Sequence, residues 1–229
     1  MIFHKSLRFL GASVLLCALS LFPASSFAER GDILDYSSLG ITPLSLEGSP
    51  LFVLEPEVRN IRWGMPPEMV IEREGITSYS EASRGELLYI TLPRASILEI
   101  PCSITYIFPG NTLSGIFCSF HSDTLRLDKD IAHFSRLEAL LEEKYGPPLE
   151  KRVTWDNPKS IYIENPDSFG MAVAMEDLRY HTEWHTGHTV INLRLEAENY
   201  RPALTLTYQS TFFQEKEREA TRNVLFSEL

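Results

Sequence analysis

Residues 181–189, HTEWHTGHT, hold three of the chain's six histidines, His181, His185 and His188, with Glu183 among them. Imidazole and carboxylate are ligands for Zn²⁺ and Cu²⁺, so a metal centre is the first chemistry this stretch suggests. His181 and His185 have the spacing of a zinc-protease helix, but Thr182, Thr186, Gly187 and Thr189 make a poor helix. The segment alternates instead. Leu178, Tyr180, Thr182 and Trp184 point one way, and Arg179, His181, Glu183 and His185 the other, as in a half-buried strand. With Thr186-Gly187 as a two-residue turn, His185 faces His188, Glu183 faces Val190, Trp184 faces Thr189 and Tyr180 faces Leu193. Leu178, Tyr180, Trp184, Ile191, Leu193 and Leu195 then share a buried face, and the histidines, Glu183, Asn192 and Arg194 share the polar one. Opposed positions have Cβ atoms about 5 Å apart, which would let His185 and His188 share a Zn²⁺ with Glu183 nearby and His181 farther along. The favoured reading is a polar hairpin tip with no cofactor, because no closed ligand set is visible.

A second candidate pair is Cys102 and Cys118. Pro109-Gly110-Asn111 reads as a three-residue loop between two apolar strands, which pairs Phe108 with Thr112 and sets Cys102 opposite Cys118. Both fall on the face of Ile104, Tyr106, Ile116 and Phe120. A disulfide is expected there in an oxidising compartment, with two buried thiols as the alternative. Catalytic constellations are lacking: there is no Gly-x-Ser-x-Gly elbow, phosphate-binding glycine loop, dinucleotide fingerprint or Cys-x-x-Cys. His121-Ser122-Asp123 and His133 with Ser135 are sequence neighbours rather than a geometry, so no catalytic residue is assigned. Trp63, Trp155 and Trp184 are expected in the core.

The elements that must position these residues read as α+β, with two tandem helix-plus-antiparallel-sheet units and a C-terminal helix. In the first unit, residues 57–125, Pro66 and Pro67 open a short helix that Gly75 ends. Strands follow at Glu86–Leu92, Leu98–Phe108 and Thr112–His121. In the second, residues 126–210, DIAHFSRLEALLEEKYGPP puts Ile131, Phe134, Leu137, Leu141 and Tyr145 on one stripe before Gly146 and Pro147. Strands are expected at Lys151–Trp155, 178–185, 188–197 and Ala203–Gln209, with a helical turn within Asn165–Ala174. Residues 211–229 read as a charged helix with Phe213, Ala220 and Val224 as a thin apolar stripe.

Residues 29–56, rich in Gly, Ser and Pro, read as an extended lead-in. Before them, Lys5 and Arg8 precede an apolar run from Phe9 to Phe22, followed by Ser26-Phe27-Ala28, the pattern of a cleaved secretory signal over residues 1–28. The run is short for a membrane span. Leu16 is bulky where a lipid-modification signal at Cys17 takes a small residue. Removing Lys5 and Arg8 with that segment takes the formal charge from −10 to −12, which disfavours nucleic acid and anionic membrane as partners.

The runs RWGMPPEMV, LLEEKYGPP and EWHTGHTVINLRLEAEN followed by LTLTYQS resemble uncharacterised secreted bacterial proteins with a Trp-Gly-Met helix opening. At the level of fold, the helix-then-sheet units resemble the small outer-membrane assembly lipoproteins and the secreted beta-lactamase inhibitor. That resemblance implies a binding protein and supplies no catalytic residue. The expected function is a periplasmic or secreted binding or accessory protein acting on another protein or an envelope component. The alternative is a metal-binding protein or metal-dependent hydrolase using the 181–188 hairpin with zinc.

Overall fold

The computed structural model describes residues 44–46, 49–51, 61–122 and 126–227. The expected signal segment, residues 1–28, lies outside them, as does most of the lead-in. Within that lead-in, β1 (Leu44–Leu46) and β2 (Ser49–Leu51) pair as an antiparallel hairpin, in a compact unit that ends at Phe52. A second compact unit, Val53–Leu229, contains every other described residue.

That second unit opens with α1 (Pro67–Glu74), where prolines at the first turn cost no hydrogen bond because those N–H groups have no helical acceptor. Gly75 closes it at φ +62, donating to the Glu72 carbonyl while Ile76 donates to Ile71, the double bond of a left-handed helix end. A four-strand meander follows: β3 (Ser80–Arg84), β4 (Leu87–Ile97), β5 (Ile100–Pro109) and β6 (Gly115–Phe120). The strand β3 escapes the sequence pattern because SEASR has no apolar alternation and is almost wholly exposed. Next come α2 (Asp128–Tyr145), β7 (Glu150–Trp155), a 3₁₀ turn at Pro166–Ser168 and the short α3 (Phe169–Ala174). Strands β8 (Leu178–Thr186), β9 (Thr189–Glu198) and β10 (Arg201–Ser210) lead into α4 (Gln214–Ser227).

The strands form one eight-stranded antiparallel sheet in the order β3-β4-β5-β6-β10-β9-β8-β7. The fold is thus α+β, and its two helix-then-strand runs merge edge to edge. The last strand of one run, β6, pairs with the last strand of the other, β10, with Cys118 opposite Leu206. Apolar residues alternate onto one face, so α2 and α3 pack over β8, β9 and β10 there, burying Phe134, Leu137, Ala172 and Val173 against Leu193 and Leu195. The segment before α1 covers the other half with Ile61, Trp63 and Met65. It is tied down by Gly64 N–H to Leu113 O and by Leu113 N–H to Met65 O, each 2.9 Å. Trp63 also reaches across the junction, its Nε1–H donating to Thr189 Oγ1 of β9 at 2.7 Å.

The expected opposition of Cys102 and Cys118 is corrected by the β5–β6 register. Cys102 faces Phe120, and Cys118 faces Ile104. The cause is β4: Leu87 and Leu88 pair with Pro109 and Phe108, so β5 runs on past the point where it leaves β6, and residues 108–114 make the connection. The two side chains keep a shared core face on a diagonal. Such neighbours lie about 7–8 Å apart at Cα, at the limit of disulfide geometry. Both are buried thiols.

Candidate functional site

The tip of the β8–β9 hairpin differs from the sequence reading by two residues. Thr186 pairs with Thr189, so Gly187 and His188 form the turn, with Gly187 at φ +49. Glycine at the first central position is what a two-residue turn with positive φ there needs. An even shift leaves every side chain that stays in a strand on its expected face. Trp184 is accordingly buried at 1% exposure, opposite Ile191, with its Nε1–H donating to Gly146 O at 3.0 Å.

The expected pairing of His185 with His188 is therefore corrected. Val190 stands opposite His185, and His188 leaves the sheet for the turn, where its ring lies 4.1 Å from that of Phe212. Three of the four candidate ligands remain on one face. His185 Nε2 is 2.7 Å from Glu183 Oε1, and His181 Nε2 is 3.9 Å from Glu183 Oε2. The same His181 nitrogen lies 2.9 Å from Asn192 Oδ1, the residue opposite Glu183. Glu183 thus holds the His185 imidazole, while His181, beyond hydrogen-bond reach of that carboxylate, is held by Asn192. Among the described residues, no group of three or more His, Cys, Asp or Glu side chains is arranged to hold a metal ion. Among the described residues, the hydroxyls beside His121 and His133 bond to other groups. Ser122 donates to Asp130 Oδ2 at 2.5 Å and Ser135 to the Ile131 carbonyl at 3.0 Å.

The histidine group is one end of a larger surface. Strand pairing carries a continuous row from Thr91 through Thr105, Phe117, Thr207 and Asn192 to Glu183. Those six strands span about 24 Å at the usual inter-strand spacing. Thr91 and Thr105 share a hydroxyl hydrogen bond of 3.0 Å. A parallel row reads Ser103, Ser119, Thr205, Arg194, His181 and Arg152, the last paired to Glu150. The face grades from hydroxyls on the first half to charges and imidazoles on the second. Most of its side chains are half-buried, and Asn192 is almost wholly so.

Helix α4 covers one end of this face. Ala220 and Val224 pack on Leu87, with Tyr89 and Ile107 alongside. Between them Glu217 is 7% exposed, and its Oε2 accepts Ser114 Oγ–H at 2.9 Å. Sequence reasoning missed this carboxyl, although it sits on the Phe213, Ala220, Val224 stripe where an apolar residue belongs. That interruption was its only signal.

The second compact unit is thus α+β, built on one eight-stranded antiparallel sheet with one face buried under helices and the other broad and polar. No protein family, curated protein or solved structure matches the chain.

Proposed function

We propose that this chain is an exported binding or accessory protein, periplasmic or secreted, that engages another protein or an envelope component through the polar face of its sheet. The observation that supports it is the contrast between the two faces. Helices take up the apolar residues of one, while the other presents a graded array of hydroxyl, amide, imidazole and guanidinium groups, suited to directional contacts. Among the described residues, no helix is long and apolar enough to cross a membrane. A photo-crosslinking side chain placed at Thr207 on this face, and in a second variant at the exposed Arg136 of α2, tests the reading in the native envelope. A defined adduct from Thr207 alone is expected. Adducts from Arg136 instead, or equal adducts from both, would sink it. Export itself predicts a mature N-terminus at Glu29.

A further inference from the structure

We propose that α4 is a proton-fastened strap: it is fully seated when Glu217 carries a proton, and ionisation of that carboxyl lifts the helix from Leu87, Tyr89 and Ile107. The helix is held by little. Its buried side chains are Ala220 and Val224, which form a small cluster with Leu87, separate from the main core, and Glu217 itself. A buried carboxylate without a cationic partner is costly, whereas a neutral carboxyl with hydrogen bonds is tolerated.

The surroundings supply hydrogen bonds and little charge. From the β5–β6 connection Ser114 donates to Glu217, and from β10 Gln209 does so as well. From β4 comes the Tyr89 phenol, and from β3 Arg84, whose charge acts on Tyr89. Directly beneath lies Gly115, where a Cβ would stand 3.8 Å from Glu217 Oε2, in ordinary van der Waals contact, so this neighbour adds no charge or polar side chain. On the helix itself Arg218 opposes only in part, its guanidinium being 3.8 Å from Glu215, and Lys216 turns to Thr112 Oγ1 at 2.8 Å.

Burial pushes the Glu217 carboxyl above the usual carboxylate range against the pull of Ser114, Gln209 and Arg218. Burial, then the Glu217 charge, raises the Tyr89 phenol to about 12, so Tyr89 stays neutral and offers no countercharge. For an acid raised in the docked state, the stabilisation is complete below the undocked value. It is lost as pH rises from there through the docked one, when the proton passes to water.

Amide exchange at Ala220–Val224, corrected for intrinsic rates and followed from pH 4.5 to 8, reads the strap directly. Protection is expected to fall about tenfold per pH unit between the two values and then level off. Glu217→Gln, which keeps a neutral side chain of the same shape, should hold acid-like protection throughout. Amides of β5 and β6 report whether the fold as a whole has changed. Gly85→Ala is a second variant: its Cβ would stand 2.9 Å from Val224 Cγ2, at a φ of +58 that also strains the turn between β3 and β4, and it should lower protection at every pH without altering the slope. Flat protection in the parent chain would overturn the proposal, as would an undiminished pH slope in Glu217→Gln. The strap does not depend on what the polar face binds.

Discussion

At the scale of single residues, side-chain direction was the property most readable from sequence. Alternation alone put Trp184 inward and His185 outward, and both lie where that pattern placed them. Trp184→Ala removes a fully buried indole and its bond to Gly146, so a loss of about 3–5 kcal/mol is expected in denaturant unfolding. At His185, half exposed at the tip, Ala should change stability by no more than about 0.5 kcal/mol. Backbone conformation was less readable. The β4–β5 turn places Leu98 at φ +54 and Glu99 at φ +66, a double left-handed turn that favours Asn-Gly and has neither residue here. Relieving one Cβ clash by Glu99→Gly should stabilise the chain by roughly 1 kcal/mol, seen as a raised midpoint in thermal unfolding. Glu217 shows a different limit. Its partner Ser114 is remote in the chain, so the only local trace was a charge where the stripe called for an apolar residue.

Among elements, α2 and most strands were legible because each carries its own periodicity, 3.6 or 2. Register was legible only modulo two. The alternating pattern says which face a strand buries but not how far it slides by even steps, and the turn decides that. Both hairpins read from sequence slid by two residues for separate reasons: Gly187 takes the first place in one turn, and in the other β5 continues to Pro109 to pair with β4. Strand β3 was illegible because it lies at a sheet edge and buries nothing that alternates. The cysteine register has a chemical consequence. Residues 29–229 contain only Cys102 and Cys118, which sit on a diagonal in the core. Two thiols per chain are expected to react with a thiol reagent in denaturant without reductant, and neither should react in the native protein. A chain that yields none on unfolding would show that the strands accommodate a disulfide after all.

Across the whole molecule, the two helix-and-strand runs share one core as well as one sheet. Trp63 of the first bonds Thr189 of the second, and the main cluster runs unbroken from Ile61 to Leu206. A single cooperative unfolding transition is expected for residues 61–227, with fluorescence and far-UV circular dichroism coincident; two separated transitions would mean independent halves. Trp63→Phe should shift that one transition by about 1 kcal/mol without splitting it. The outer edges are protected from unwanted pairing, β3 by exposed polar side chains and β7 by Glu150, Lys151 and Arg152. The inner junction is another matter while the chain folds. Strand β10 is central in space but late in the chain, so β6 offers an unpaired edge bearing Ile116, Cys118 and Phe120 until residues 201–210 dock. Closing the sheet is then a long-range search made late in folding, slow for a chain of this size and open to wrong partners while it lasts. The folding polypeptide therefore has a built-in interval of vulnerability, and a holdase chaperone that shields β6 during that interval would raise the yield of folded protein more than one acting on either rim.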